Sequence, residues 1–253
     1  MKLRNSFATV LAAAAGVMGM AAAPAMAAAP ATTHSATAVV KKTPALSLSF
    51  NSTWLGYGQW MQATVHLGAT AGNRTVTVHA ENWQNHATFV AATGKVNSAG
   101  NFTFEYWASQ SRTWWASFGG DAKDNAVNTQ GAAVRVGSVT QEELVSSYSH
   151  ISWGGHTVDL YHGAGGAQMG VKVSPNKPGE NVYVTAYGYY QGTWQLMDPS
   201  QPDLLNSSSV TGMSFDTAHR WPEGMVVRLV TVYKGDTANV GSTSAPQYFE
   251  LTK

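Results

Sequence analysis

The chain has 253 residues and no cysteine, and its 15 basic and 14 acidic residues give a formal net charge of +1. Charged residues make up only 11% of the sequence, against about 25% in an average globular domain. No cluster of Lys and Arg is present to neutralise phosphates, which argues against a nucleic-acid-binding protein. The absence of cysteine excludes disulfides, Cys-ligated zinc, iron–sulfur clusters and thiol nucleophiles.

Residues 1–27 have the features of a secretory signal peptide. Lys2 and Arg4 precede an apolar stretch, and Ala25-Met26-Ala27 supplies the small residues that signal peptidase accepts. Glycine and proline interrupt the stretch before it reaches the roughly 20 apolar residues of a membrane span. We therefore expect a secreted, extracellular protein whose mature chain has no membrane span. A flexible leader rich in Ala, Thr and Pro is expected over residues 28–45.

From residue 46 onward the sequence pattern is typical of β-strands. Apolar and polar residues alternate over 75–80, 102–106 and 182–186, which is the period of a strand with one buried face. Turn-forming residues separate these runs, so the pattern predicts an all-β fold of antiparallel sandwiches. One short helix is expected over residues 140–145 from a capping box. The expected core consists of Val65, Leu67, Val76, Val78, Phe102, Phe104, Ala116, Phe118, Val182, Val184, Leu229 and Tyr233.

An internal repeat predicts two copies of one unit. Residues 118–121 and 233–236 share the form aromatic-x-Gly-Asp. Upstream, apolar positions match at a constant offset, so that Val65, Leu67, Val76, Val78 and Ala80 correspond to Val171, Val173, Val182, Val184 and Ala186. We expect one domain over residues 46–138 and a second over residues 139–253, both of a size typical of immunoglobulin-like sandwiches.

Three segments of the first unit carry a resemblance to a known family, namely residues 96–102, 115–121 and 132–136. They resemble bacterial immunoglobulin-like repeats of secreted and surface proteins, notably actinobacterial ones. In the second unit, residues 174–179, 189–194 and 248–249 resemble the companion module of such proteins. The resemblance implies two tandem immunoglobulin-like domains with a non-catalytic role, and it supplies no binding residues. Relatives of the second module often carry a cysteine pair, which this chain lacks.

Aromatic residues are the strongest candidates for a binding surface. If Val182, Val184 and Ala186 face the core, the alternation places the side chains of Tyr183, Tyr187 and Tyr189 on the opposite face, and Trp194 follows soon after. Exposed rings can stack on sugars or insert into a protein partner. The alternative is that another domain or a loop covers these rings. In the first unit, Trp107 and Trp115 are also expected to point away from the core.

The two Gly-Asp pairs, Gly120-Asp121 and Gly235-Asp236, are expected to be structural turns. With Asp124 nearby, a calcium site is the alternative for the first pair. The eight histidines would bind zinc or copper only if loops brought them together, so no metal and no cofactor are expected.

The sequence contains no Gly-x-Ser-x-Gly motif and no clear pair of catalytic acids. We therefore expect no enzyme activity but a secreted structural or binding module, with a protein or a polysaccharide at the cell surface as its partner. Two alternatives stay open. One is a carbohydrate-binding module that uses Tyr183, Tyr187, Tyr189 and Trp194. The other is a secreted hydrolase, which would require two acids or a Ser/His pair in one pocket.

Overall fold

The computed structural model describes residues 40–68, 72–217 and 221–253, without the side chains of residues 199–201. The predicted signal peptide and most of the predicted leader lie outside these residues. The described residues form nineteen β-strands and no α-helix, so the predicted all-β fold is confirmed. Across those ranges, no helix is long and apolar enough to cross a membrane.

The first sandwich packs a three-stranded sheet, in the order β1-β3-β6, against strands ordered β5-β4-β7-β9, with β8 beside β7 and β2 beside β9. Most of these neighbours are antiparallel, and β2 and β9 are parallel. The strands are β1 Leu46–Phe50, β2 Trp54–Gly56, β3 Trp60–Leu67, β4 Thr75–Asn82, β5 Thr88–Lys95, β6 Asn101–Trp107, β7 Arg112–Phe118, β8 Val127–Asn128 and β9 Ala132–Gly137.

The second sandwich has a three-stranded sheet, ordered β10-β13-β16, and a large sheet in which β17 lies between β14 and β19. Beyond β14 lies the edge strand β15, and beyond β19 lies the β11-β12 hairpin. The strands are β10 Val139–Val145, β11 Ser149–Trp153, β12 His156–His162, β13 Ala167–Ser174, β14 Asn181–Tyr190, β15 Thr193–Leu204, β16 Val210–Phe215, β17 Val226–Gly235, β18 Val240–Thr243 and β19 Gln247–Thr252.

The buried apolar side chains form two clusters, one from residues 55–136 and one from residues 161–251. Every residue that the sequence analysis assigned to the core lies in one of them, with Phe102 and Phe104 partly buried at the margin of the first. All the positions that the repeat pairs at a constant offset are also buried. Strands such as β3, β4, β13 and β14 therefore commit alternate side chains to a core and leave the others on an outer face.

The helix expected over residues 140–145 is wrong, because this segment is strand β10. All seven residues of β10 pair with β13 in an antiparallel register. Thr140, Glu142 and Leu144 are more buried than their neighbours, so the segment has the period of a strand. Sheet pairing and burial of one face outweigh the local capping signal.

Glu142 is a carboxylate inside the second sandwich. Its Oε2 accepts hydrogen bonds from the hydroxyl groups of Thr231, at 2.5 Å, and Ser244, at 2.7 Å. Its Oε1 is buried and has no partner among the described residues. Burial raises the pKa of Glu142 above its usual value, although the two hydroxyl groups oppose the shift. The backbone N–H of Ser244 donates to the carbonyl group of Thr231, and the backbone N–H of Thr231 donates to Oγ of Ser244, so this carboxylate is bound to a part of the sheet that is itself hydrogen-bonded.

We expect the stability of Glu142→Gln, relative to that of the wild type, to increase as the pH rises. The folded state favours the protonated form of Glu142, so the wild type loses stability as the pH rises from the unfolded carboxyl pKa toward the higher folded pKa. The amide of Gln does not titrate. Melting temperatures measured between about pH 4.5 and 7.5 should therefore show the difference between variant and wild type growing by a few degrees.

The exposed neighbour Glu143→Gln is the matched control, because it removes the same charge without removing a buried carboxylate. A difference that stays constant with pH for Glu142→Gln would contradict the prediction.

Candidate functional site

Four strands and a hairpin of the second sandwich bring seven side chains together on the outer face of the large sheet. We call this group the aromatic surface. It consists of Trp153, His156, Tyr187, Tyr189, Trp194, Arg228 and Tyr248.

The pleat of β14 explains the position of two of these rings. Val182, Val184 and Ala186 are buried, as predicted, so Tyr187 and Tyr189 lie on the opposite face. The hairpin between β14 and β15 then places Trp194 directly opposite Tyr189, and directly opposed residues of paired strands share a face.

Trp194 lies at the centre of the aromatic surface. Its ring centroid lies 5.3 Å from that of Tyr189, 5.8 Å from Trp153 and 5.9 Å from Tyr248. The rings of Trp194, Tyr189 and Trp153 meet edge to face, which is a favourable arrangement for aromatic pairs. Each ring is half-buried against the others, so the surface is held rigid by its own members.

Arg228 is the one cation in this surface. It pairs in register with Tyr187 on β14 and with Tyr248 on β19. Its guanidinium carbon lies 4.6 Å from the ring centroid of Tyr187 and 4.8 Å from that of Trp194. Cation–π contacts of this kind hold a guanidinium in place. In the described part of the chain Arg228 forms no salt bridge, and its buried Nε has no hydrogen-bond partner.

The structure does not bring Tyr183 into this group. Tyr183 lies further along β14 on the same face, where the Nζ atom of Lys234 is 3.7 Å from its ring centroid. Of the four candidates, Tyr187, Tyr189 and Trp194 therefore form one surface, and Tyr183 lies apart from it.

Four members of the surface were not predicted from the sequence, namely Trp153, His156, Arg228 and Tyr248. Arg228 could have been found by alternation, because Leu229, Thr231 and Tyr233 face the core and Arg228, one residue before Leu229, has the opposite phase and faces outward. Trp153 and His156 flank the Gly-Gly turn of the β11-β12 hairpin, a sequence typical of such turns. His156 stacks on Tyr248 at 4.3 Å only because β12 runs parallel to β19, and that pairing has no local signal.

The two Gly-Asp turns share one arrangement. Oδ1 of Asp121 accepts hydrogen bonds from the backbone N–H groups of Lys123 and Asp124. Oδ1 of Asp236 accepts equivalent bonds from Ala238 and Asn239. In each turn the preceding glycine has a positive φ, 78° at Gly120 and 88° at Gly235, a conformation that favours glycine.

Each turn aspartate also pairs with a cation through Oδ2. Asp121 lies 3.0 Å from Nε of Arg74, whose Nη2 lies 2.6 Å from Asp124. Because Arg74 bonds to both carboxylates, the pair that suggested calcium belongs to an ion-pair network. Nowhere in the described ranges do three or more His, Cys, Asp or Glu side chains form a group that could hold a metal ion.

The turn at Asp236 joins the two sandwiches. Lys177 is buried, and its Nζ donates to Oδ2 of Asp236 at 2.6 Å and to Oδ1 of Asn239 at 2.9 Å. The amide of Asn239 in turn donates to the backbone carbonyl groups of Ser109 and Val136 in the first sandwich. Burial opposes ionisation of Asp236, but the bonds from Lys177 and the turn outweigh it and lower the carboxyl pKa.

A cleft of about 460 Å³ lies beside this joint. It is lined by Gln84, Ser109, Gln110, Pro175, Asn176, Lys177, Pro178, Glu180, Asp236, Ala238 and Asn239. Of its three charged lining residues, Lys177, Glu180 and Asp236, the first and the last bond to each other and so act in holding the joint.

One Ser/His pair bears on the hydrolase alternative. Nε2 of His79 lies 2.9 Å from Oγ of Ser117 on the outer face of the first sandwich. The serine hydroxyl donates to the carbonyl group of Thr77, and the imidazole stacks on Trp115. These contacts fix both side chains on a sheet face, and neither residue lines the cleft at the joint.

Comparison with known proteins gives little further information. No protein-family model matches the chain, and a search of curated proteins finds no match. Among solved structures, the chain is similar to the crystal structure of a Salmonella alpha-2-macroglobulin mutant, with 11% identity and a TM-score of 0.30. The similarity covers 83% of this chain and 17% of that protein.

We expect Gly120→Ala to destabilise the protein and Gly119→Ala to leave it nearly unchanged. A Cβ at residue 120 would lie 2.8 Å from the backbone nitrogen of Ala126, in a conformation with positive φ. A Cβ at residue 119 would meet nothing within 4 Å. The first change should cost about 2 kcal/mol and the second less than about 0.5 kcal/mol, measured by urea unfolding. Equal stabilities of the two variants would contradict this account of the turn.

We expect Asp236→Asn to destabilise the protein more than Asp121→Asn. The first change leaves the buried ammonium group of Lys177 without its carboxylate, which should cost about 3 kcal/mol. The second leaves Arg74 paired with Asp124. Urea unfolding measures the stability of both variants. A loss of stability in Asp121→Asn equal to or greater than that in Asp236→Asn would contradict the role given to the Lys177–Asp236 pair.

Proposed function

We propose that this protein acts outside the cell as a non-catalytic binding module, and that the aromatic surface binds a polysaccharide. The observation that carries the proposal is the central position of Trp194, which contacts three other aromatic rings and Arg228. The predicted signal peptide supports the extracellular location.

The chemistry of the surface suits a sugar polymer. Aromatic rings offer apolar faces to the C–H groups of a pyranose ring, and they lose little conformational entropy because they have few rotatable bonds. Arg228 adds hydrogen-bond donors for hydroxyl or carboxylate oxygens of the sugar. Because Tyr187 and Trp194 already hold its guanidinium, binding would not have to order that side chain.

An exposed apolar side chain borders the aromatic surface. Leu196 is 57% exposed and lies on the β14-β15 hairpin. Leu196 pairs in register with Tyr187 and so extends the row of Tyr187, Arg228 and Tyr248 across four strands. The aromatic and cation–π contacts of the surface all come from residues of the second sandwich.

The proposal predicts that the purified protein binds an insoluble polysaccharide and that Trp194→Ala weakens this binding at least about tenfold, because a central aromatic residue dominates the binding energy. Binding is measured as depletion of the protein from solution by cellulose, chitin, xylan or peptidoglycan. Tyr187→Ala should have a similar effect. Trp54→Ala is the matched control, since this exposed tryptophan lies on β2 of the first sandwich.

If Trp194→Ala lowers the melting temperature, its effect on binding cannot be separated from its effect on stability. Arg228→Gln then tests the surface, because it removes the cation while keeping a long side chain. The proposal fails if no polysaccharide retains the protein. It also fails if Trp194→Ala, Tyr187→Ala and Arg228→Gln bind as well as the wild type.

A further inference from the structure

The outer face of the three-stranded sheet β1-β3-β6 carries a second, separate row of side chains. Four residues of β3 lie directly opposite four residues of β6 in the antiparallel register. We call this group the Trp strip. Its cross-strand pairs are Trp60 with Trp107, Gln62 with Glu105, Thr64 with Thr103, and His66 with Asn101.

The two tryptophans at one end are the most exposed feature of the strip. Trp60 is 58% exposed and Trp107 is 46% exposed. Their ring centroids are 5.3 Å apart and their planes are nearly perpendicular, at 78°. Gly58 lies against the ring of Trp107, because a Cβ at that glycine would be 3.2 Å from the ring. The rings are therefore held by each other and by backbone while large parts of them face solvent.

The rest of the strip is polar. The hydroxyl groups of Thr64 and Thr103 are 3.0 Å apart, and Nδ1 of His66 is 2.8 Å from Oδ1 of Asn101. These bonds fix the side chains in place, and each group keeps further hydrogen-bonding capacity. Among the described residues, the exposed side chains of Gln62 and Glu105 show no hydrogen bond or salt bridge.

We propose that the Trp strip is a second binding site, and that its ligand is a single chain of an uncharged polysaccharide. One of the two rings would stack on a sugar unit and the other, nearly perpendicular to it, would contact the edge of that unit. The amide, hydroxyl and carboxylate groups of the strip would bind hydroxyl groups of the following units. This site goes beyond the function proposed for the aromatic surface and does not depend on it, because the two groups share no residue.

Three features favour an uncharged glycan over other ligands. The strip has only one fully charged side chain, Glu105, which disfavours an anionic polymer. Apart from the two tryptophans it has no apolar side chain, whereas the centre of a protein–protein interface is usually apolar. A strand rises about 3.4 Å per residue, so residues 60–66 span about 20 Å, which matches an extended oligosaccharide.

The test is affinity gel electrophoresis of the whole protein in gels that contain hydroxyethylcellulose, soluble xylan or, as the charged comparison, polygalacturonate. We expect retardation by at least one of the two neutral polymers. The double variant Trp60→Ala with Trp107→Ala should lose at least about tenfold in affinity. Trp54→Ala is the matched control, with a tryptophan exposed to a similar extent outside the strip.

The variant pair Gln62→Ala with Glu105→Ala tests the polar half of the strip without touching a ring, and we expect a smaller loss of affinity from it. Trp194→Ala should retain the binding to the neutral polymer that depends on Trp60 and Trp107. The inference is overturned if neither neutral polymer retards the protein, if only polygalacturonate does, or if the double variant migrates as the wild type does. If Trp194→Ala loses affinity for the neutral polymer and the double variant does not, the aromatic surface is the binding site and the Trp strip is not.

Discussion

Packing between the two sheets of each sandwich is the constraint on which the rest of the structure depends. The chain has no cysteine, so no disulfide holds the sheets together, and burial of apolar side chains must supply the stability. In the first core, the buried ring of Trp114 lies against Phe50, Phe104 and Tyr106. In the second core, Phe249 has the same role against Tyr161, Phe215 and Trp221.

This constraint determines where binding residues can lie. Once alternate residues of a strand are committed to the core, the others must face outward, and their chemistry is free to vary. On β14 the outward positions carry tyrosines, and on β3 and β6 they carry tryptophans, amides and hydroxyl groups. Both candidate surfaces are therefore outer faces of sheets whose inner faces pack in the two cores.

The alternation in the sequence was sufficient to predict the core and the orientation of Tyr187 and Tyr189, because both depend on the local pleat. It was not sufficient to predict the composition of the aromatic surface. Arg228 lies beside both Tyr187 and Tyr248 because β17 lies between β14 and β19, and such pairing between distant segments has no local signal. The error over residues 140–145 has the same origin, since pairing of β10 with β13 outweighs the capping box.

The joint between the sandwiches determines how two binding faces could act together. Asn239 bonds to the first sandwich while Lys177 holds Asn239 and Asp236 within the second. Val240 adds a backbone contact to Gly137, so the two halves are connected by more than the chain between them. When two sites are rigidly linked, binding at one site raises the effective concentration of ligand at the other only if one polymer can reach both sites. A long polysaccharide meets that condition more readily than a small ligand does. The buried Lys177–Asp236 pair would then matter for binding as well as for stability, because Lys177 also holds Asn239, which bonds to the first sandwich.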